Sequence, residues 1–158
     1  MANLYRIAAT PDHERFLYEL YADTRADEMA AFDWGEAERS MFLRMQFHAQ
    51  SHSYAMQYPE AKHWIVRWDD NPIGRLVVAY GEADIRIVDI SLMSDHRNRG
   101  IGRTLIAGIK DEAAESGLPL RLYVFQGNRA IELYRRTGFE IEGIRTPYVS
   151  MVWLPERR

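Results

Sequence analysis

The hydrophobic positions at the start of the chain change from a strand pattern to a helical one. Residues 4–9 (LYRIAA) are mostly apolar and predict a short strand. Thr10 and Pro11 are residue types that begin helices, so we expect a helix that runs from them to about Tyr21. An acidic link around residues 27–33 follows this helix.

Residues 36–58 carry the longest uninterrupted helical pattern, and Pro59 ends it. A stripe of apolar residues recurs near helical spacing within this segment: Met41, Phe42, Met45, Ala49 and Met56. Stripes of methionine and aromatic residues usually pack inside a protein, so we expect this face of the helix to be part of the core.

The period of the pattern becomes that of strands from residue 62 onward. Segments 62–68, 73–80 and 85–93 are rich in β-branched and aromatic residues, and the turn sequences DDNP and GEAD separate them. The three segments therefore predict a meander of three consecutive strands.

The last third of the chain alternates helices and strands. A helix from residue 101 ends at Gly117, and its predicted core face consists of Ile101, Leu105, Gly108, Ile109 and Ala113. The segments that follow predict a strand at 120–125, a helix at 128–137 and strands at 139–145 and 148–154. With no internal repeat or linker to divide the chain, this order predicts one α/β domain over residues 1–158 with a mixed sheet.

Composition and charge argue against several classes of protein. The net charge of −3 is too mild for the strong cationic face of a general nucleic-acid or membrane-surface binder. The lack of cysteine excludes a disulfide framework, a thiolate nucleophile and a cysteine-ligated metal. The first residues lack the apolar core of a signal peptide, and no apolar run approaches the roughly 18 residues of a membrane span. We therefore expect a soluble, cytoplasmic protein.

The segment DHRNRGIGRTL (95–105) places Gly100 and Gly102 directly before the helix pattern. A dinucleotide-binding fingerprint would need a third glycine where Leu105 stands, and the chain has no Gly-Lys-Ser/Thr run of a P-loop. The remaining feature is a set of backbone N–H groups, from about residue 98 to residue 103, at a helix N-terminus. Unpaired donors and the helix dipole favour an anion there.

The residue types of this loop suit a phosphate ligand. The two glycines let a ligand approach the backbone where a Cβ would block it, and Arg97, Arg99 and Arg103 add positive charge for a pyrophosphate. The alternative is a tight glycine turn with surface arginines, and the loop alone does not decide between the two.

The segment GNRAIELYRRTGF (127–139) changes this balance, because it and the loop together resemble the GNAT superfamily of acyl-CoA-dependent N-acetyltransferases. The loop is similar to the family motif R/Q-x-x-G-x-G/A. The later segment is similar to N-x-x-A/I-x-x-L-Y-x-x-x-G-F, although only one residue separates Ile131 from Leu133 where the motif has two. The matching residues are Arg97, Gly100, Gly102, Asn128, Ile131, Leu133, Tyr134, Gly138 and Phe139. The resemblance covers about residues 62–154. It implies a GNAT fold, in which helices flank a mixed, mostly antiparallel central sheet.

The resemblance also implies the cosubstrate acetyl-CoA, used without a metal. Its pyrophosphate would lie on the loop, and its pantetheine arm would pair with the end of the strand before the loop. The cofactor-binding residues that follow from the resemblance are Ser91, Leu92, Arg97, Asn98, Arg99, Gly100, Ile101, Gly102, Arg103, Asn128 and Tyr134. Two alternatives stay open: Asn128 as a helix cap, and Tyr134 as a core aromatic with a satisfied hydroxyl.

The implied reaction is direct transfer of the acetyl group to a primary amine within a ternary complex. Tyr134, beside the sulfur, would be the general acid, because a phenol with a pKa of about 10 stays protonated at neutral pH. Asp89, in the strand before the loop, is the candidate base. A purely structural role for Asp89, or proton removal through a chain of waters, remains an alternative.

His48 and His52 stand four residues apart, a spacing by which two imidazoles on one helix can share a metal. However, Ala49 replaces the glutamate of an H-E-x-x-H motif, and no third ligand is evident. The sequence therefore favours no metal site.

The acceptor and the partners are less defined by the sequence. Residues 1–40 carry nine acidic residues against four arginines, which favours a small cationic amine, although a protein amine suits an open cleft equally well. The rival function is a non-catalytic acyl-CoA-binding or sensing module that kept the loop without turnover. We expect a monomer or a homodimer, with no nucleic-acid or membrane partner.

Overall fold

The computed structural model describes residues 3–156 of the chain. Its helices are α1 (Glu14–Thr24), α2 (Ala26–Ala30), α3 (Glu36–Gln57), α4 (Ile101–Ser116) and α5 (Ala130–Arg136). Its strands are β1 (Leu4–Ala8), β2 (Lys62–Trp68), β3 (Asn71–Tyr80), β4 (Ile85–Leu92), β5 (Leu120–Phe125), β6 (Glu140–Arg145) and β7 (Tyr148–Trp153). Short 3₁₀ turns occupy Pro11–His13 and Ser94–His96.

Every strand and helix predicted from the sequence is present near its predicted bounds. The structure adds one helix, α2, where the sequence indicated only an acidic link. Its single buried residue, Met29, lies among acidic and alanine residues, so its five residues show no apolar period.

The seven strands form one sheet in the order β1-β2-β3-β4-β5-β7-β6. The pairs β1–β2, β5–β7 and β6–β7 are antiparallel, and β4–β5 is parallel. The prediction of a mixed, mostly antiparallel sheet with flanking helices is therefore confirmed. The chain divides into two compact units. The first unit extends to Leu76 and includes Ile90–Arg97, and the second comprises Val77–Asp89 and the chain from Asn98 onward.

In the first unit, α1, α2 and α3 share a hydrophobic cluster built on Tyr21, Met29, Leu43 and Phe47. The ring of Phe47 lies 5.8 Å from that of Tyr21, a distance typical of favourable aromatic pairs. These contacts hold the three helices together.

The prediction that the methionine stripe of α3 is core is wrong. Met41, Met45 and Met56 are 68%, 64% and 71% exposed, whereas Leu43 and Phe47 are buried. The helix carries apolar residues on two opposite faces, and packing against the cluster of Tyr21 and Met29 selects the face of Leu43 and Phe47. A helical period cannot distinguish between two such faces.

In the second unit, α4 buries Ile101, Ile106, Ile109 and Ala113 and contacts β5. The predicted core face is correct for three of these residues, while Leu105 is half-buried and Gly108 is exposed. Strand β5 alternates strictly, with Leu120, Leu122 and Val124 buried and the residues between them more exposed. Its whole length pairs with β7, from Leu120 opposite Trp153 to Phe125 opposite Tyr148.

Candidate active site

The N-terminus of α4 lies directly behind the glycine loop, as the sequence predicts. Gly100 is the N-cap residue and has a φ of +80°, a left-handed conformation that glycine adopts without strain. Asn98 also has a positive φ, of 62°, so the loop bends sharply twice within three residues. Because Gly100 has no side chain, it cannot cap the first N–H groups of the helix. The 16 residues of α4 give this end a full helix dipole.

The surroundings of the loop leave room for a ligand. Gly102 has an ordinary helical conformation, and a Cβ added there would meet no described atom within 4 Å. Glycine destabilises a helix by about 1 kcal/mol relative to alanine. In the described part of the chain, no neighbouring atom requires position 102 to lack a side chain. Arg99 and Arg103 are exposed on the same segment. Two exposed arginines therefore flank the loop, and there is open space beside Gly102.

Strand β4 ends in the first unit at Ser91 and Leu92, and a close strand contact defines this end. A Cβ at Gly74 of β3 would collide with the carbonyl oxygen of Ser91 and with the Leu92 side chain. Only glycine therefore allows β3 to approach the end of β4 this closely. Gly74 could not be recognised from the sequence, because a glycine inside a strand pattern does not reveal which group approaches it.

Arg97 is held by groups of the first unit. Its Nε donates to the carbonyl oxygen of Leu92 at 2.9 Å, and its Nη2 donates to Asp23 at 3.0 Å. The Asp23 carboxylate also accepts the Ser94 N–H at 2.8 Å and the Ser94 hydroxyl at 3.1 Å. The guanidinium therefore orders the segment that leads into the loop. Asp23 lies 74 residues away in sequence, and no local pattern indicates it.

The parallel pairing of β4 with β5 is short. It joins Ile85, Arg86 and Ile87 to Leu120, Arg121 and Leu122, although β5 continues to Phe125 and β4 also extends further. The ladder between these two strands therefore ends in the middle of the sheet.

Tyr134 and Asp89 form an electrostatic pair in the second unit. Desolvation by burial raises the pKa of Tyr134, and the negative charge of Asp89 raises it further. The Tyr134 ring packs edge-on against Phe139 with centroids 5.8 Å apart. The carbonyl oxygen of Tyr134 accepts bonds from the Phe139 N–H at 3.0 Å and the Thr137 hydroxyl at 2.8 Å. The phenol is therefore a neutral group in a fixed position.

Asn128 lies in the turn before α5. Its side-chain oxygen accepts the N–H of Ala130 at 2.8 Å, a local contact that helps to begin the helix. The N-cap residue of α5 is Arg129, which makes no side-chain capping bond, so Asn128 lies one residue before the cap.

Three exposed aromatic residues of the second unit were not singled out from the sequence. Phe125 and Tyr148 lie opposite each other on β5 and β7 with ring centroids 4.6 Å apart, and Tyr123 lies 6.4 Å from Tyr148. We call them the aromatic patch; they are 45% (Tyr123), 50% (Phe125) and 42% (Tyr148) exposed. The guanidinium of Arg86 stacks 4.3 Å from the Tyr123 ring. Only strand register brings these side chains together.

Other candidate sites gain no support. His48 and His52 are exposed on α3, and among residues 3–156 no group of three or more His, Cys, Asp or Glu side chains is arranged to hold a metal ion. None of the described helices combines the length and apolarity needed to cross a membrane.

The fold is similar to those of solved acetyltransferases. The PaiA N-acetyltransferase of Thermoplasma acidophilum, solved in complex with coenzyme A, superimposes with a TM-score of 0.73 at 15% identity, over 96% of this chain and 99% of that one. The ribosomal-protein-S18-alanine N-acetyltransferase of Escherichia coli has a TM-score of 0.66 at 16% identity, over 100% of this chain and 96% of that one. At such identities the likeness establishes the GNAT fold.

Sequence comparison adds two matches. The chain is 44% identical to the mycothiol acetyltransferase of Clavibacter sepedonicus over 48 residues, which are 30% of this chain and only 16% of that protein. The model of the acetyltransferase (GNAT) family matches residues 14–139, most of the chain and both motifs. This protein therefore belongs to the GNAT family of acetyltransferases.

Proposed function

We propose that this protein transfers the acetyl group of acetyl-CoA directly to a primary amine. The observation that carries the proposal is the N-terminus of α4, where Gly100 leaves the first helical N–H groups without a side-chain cap. An uncapped helix N-terminus with flanking arginines matches the charge and the acceptor oxygens of a pyrophosphate. Because the chain belongs to an acetyltransferase family, coenzyme A is the pyrophosphate-containing ligand that fits this site best.

The proposed cofactor contacts follow the order of the sequence. Backbone N–H groups of Asn98 to Arg103 bind the pyrophosphate, and Arg99 and Arg103 neutralise its charge. The backbone of Ser91 and Leu92 pairs with the pantetheine arm. Arg97 positions the loop through Leu92 and Asp23, which adds to the charge role expected from the sequence. Asn128 binds the arm through the side-chain amide nitrogen, because its oxygen already accepts the Ala130 N–H.

The proposed chemistry is a balanced acyl transfer. A bond forms between the amine nitrogen and the acetyl carbon, and the carbon–sulfur bond breaks. Tyr134 gives its proton to the departing sulfur, and the amine loses a proton to Asp89 or to water. Burial raises the pKa of Tyr134, so the hydroxyl is protonated when the sulfur leaves, as this role requires. The phenol regains its proton after product release.

The aromatic patch supports a proposal for the acceptor side. Tyr123 and Phe125 continue β5 beyond its pairing with β4, and their side chains alternate with the buried Leu122 and Val124. We assign the patch to binding of the carbon skeleton of the amine, mainly through Phe125 and Tyr148, because the Tyr123 ring already stacks with Arg86. Electron-rich ring faces attract a cationic amine as well as apolar groups. In a screen of amines by thiol release, Tyr148→Ala should raise the KM for the amine several-fold with an unchanged KM for acetyl-CoA. Equal increases in both would contradict this assignment.

Calorimetric titration with acetyl-CoA, CoA and desulfo-CoA tests the cofactor site. Gly100→Asp puts bulk and negative charge at the proposed phosphate site, and we expect it to weaken binding at least about tenfold. Gly117→Asp is the matched control, because Gly117 also has a positive φ, of 69°, with nothing within 4 Å of an added Cβ. Its backbone strain and charge change are similar, but it lies at the C-terminus of α4.

The titration also separates the two functions. Binding that is lost in Gly100→Asp and retained in Gly117→Asp supports the cofactor site. No binding by folded wild-type protein, or equal binding by all three proteins, would show that the loop is only a turn. Binding of acetyl-CoA without turnover of any amine would favour the rival function, a non-catalytic acyl-CoA-binding module.

A further inference from the structure

The outer face of α3 is apolar although it faces solvent. Met41, Met45, His48, His52 and Met56 follow one another at spacings of four, three, four and four residues, so they form a single stripe along the helix. We call this set the outer stripe. His52 lies nine positions after the buried Leu43, about two and a half turns of helix, which places the stripe opposite the buried face. All five side chains are exposed.

The outer stripe lacks the charges that normally keep an exposed helix in water. No Asp, Glu, Lys or Arg occurs from Met45 to Tyr58, although charged residues make up 27% of the chain. A solvated helix face is typically charged, whereas the centres of protein interfaces are depleted in charge and enriched in methionine. Ala37, Ala49 and Ala55 border the stripe and allow a second helix to approach closely.

The outer stripe is also arranged symmetrically about a point between His48 and Ala49. Met41 and Met56 lie at equal distances on either side of this point, and so do Met45 and His52. Two identical helices in antiparallel orientation would therefore place methionine against methionine at both ends. In a two-fold interface residue i contacts residue j and j contacts i, and this pattern meets that condition. Antiparallel helices also oppose their dipoles favourably.

We propose that a second copy of this chain covers the outer stripe, and that two α3 helices pair antiparallel about a two-fold axis at His48 and Ala49. The proposal depends on the surface of α3 and not on the proposed acetyl transfer. A membrane surface is a poorer occupant, because helices that lie on membranes carry Lys or Arg along the polar border, and Met45–Tyr58 has none. A single helix pair is a small contact, so we expect a dissociation constant in the micromolar range.

Sedimentation equilibrium of the full chain, from about 1 µM to about 200 µM, tests the proposal. We expect the wild type to shift from monomer to dimer across this range. Met45→Glu and His52→Lys should each weaken the dimer at least about tenfold, because either change buries a charge. The two changes combined in one chain should restore the dimer, because residue 45 of one copy faces residue 52 of the other. Circular dichroism melting of each variant verifies the fold, since both side chains are exposed.

Two controls test the register. Met45→Glu combined with His52→Glu changes the same positions with charges of one sign, and should remain monomeric. An equimolar mixture of Met45→Glu and Met45→Lys should also remain monomeric, since residue 45 does not face its own copy in an antiparallel pair. Dimerisation of that mixture would indicate a parallel pair and overturn the proposal. A wild type that stays monomeric, or one that binds anionic vesicles as a monomer, would overturn it, as would a dimer that Met45→Glu leaves unchanged.

Discussion

Desolvation raises the pKa of Tyr134, and the negative charge of Asp89 raises it further. Both effects act against the phenolate, so the hydroxyl keeps its proton well above neutral pH. The edge-on contact with Phe139 holds Tyr134 in place, as do the hydrogen bonds that the Tyr134 carbonyl oxygen accepts. Tyr134 therefore holds a proton at a defined position, which the proposed acid role requires.

Tyr134→Phe should lower turnover and leave cofactor binding nearly unchanged. Removal of a general acid commonly costs about 10²- to 10⁴-fold in rate, and the phenyl ring keeps the packing against Phe139. Thiol release measures turnover, and calorimetry measures binding of CoA. Turnover equal to that of the wild type would show that another group protonates the sulfur.

The same pKa predicts how stability depends on pH. Because the folded pKa of Tyr134 is raised, the unfolded phenol ionises first, and stability present below the unfolded pKa of about 10 is lost as pH rises through the folded pKa. Tyr134→Phe lacks this loss. Urea unfolding of both proteins between about pH 8 and about pH 11 should show the wild type losing stability relative to the variant as pH increases. A difference in unfolding free energy that does not change with pH would mean that folding does not raise the pKa of Tyr134.

At the level of helices, α4 holds the end of α5 in place through Lys110. The Lys110 ammonium donates to the carbonyl oxygen of Thr137, at the C-terminal end of α5. It also lies 5.4 Å from the ring centroid of Phe139 and 5.3 Å from that of Trp153. Burial lowers the pKa of Lys110, because the charged ammonium loses hydration there. The contacts of the ammonium must offset this free-energy cost. These contacts connect α4 to the last turn of α5, which carries Tyr134.

Lys110→Met should loosen that turn while keeping most of the apolar stem. We expect a loss of about 1 kcal/mol in the free energy of unfolding, the typical value of one hydrogen bond, and a lower kcat with a smaller change in the KM for acetyl-CoA. Urea unfolding and initial rates measure the two effects. Lys62→Met is the control, because Lys62 is exposed at the start of β2. Identical behaviour of the two variants would remove this role from Lys110.

For the chain as a whole, the proposed reaction requires both substrates at once. The 158 residues contain no cysteine, so this chain offers no thiolate to carry the acetyl group between substrates. We expect initial-rate lines that intersect when both substrates are varied, and no CoA release before an amine is added. Mass spectrometry after incubation with acetyl-CoA alone should show a protein that carries no acetyl group. Parallel lines together with an acetylated residue would indicate a covalent route instead.

Most of the fold could be predicted because its elements depend on neighbouring residues. The meander of β2, β3 and β4 has β-branched strands and polar turns, and α4 ends at a glycine with a left-handed φ of 69°. Helix α2 could not be predicted, because its five residues contain a single buried side chain. The face of α3 was predicted wrongly, because the helix has two apolar faces and only packing chooses between them.

The candidate site divides in the same way. Its loop and the Tyr134 segment are contiguous motifs, so the chemistry they suggest can be recognised without a structure. Asp23 meets Arg97 across 74 residues, and no local pattern indicates such a contact. Phe125 and Tyr148 come together only through the register of β5 and β7. Groups that act through backbone and short spacing were therefore predictable, and groups assembled by strand pairing were not.

The amino-acid sequence was sufficient for the order of the strands and of the helices other than α2, for the position of the glycine loop at the N-terminus of α4 and for the resemblance to acetyltransferases. Each of these depends on conformational preferences within a few residues. The tertiary structure decided which face of α3 is buried, what holds Arg97, and where the aromatic rings of β5 and β7 meet. These features depend on which distant segments come into contact, and that is set by the packing of the whole chain.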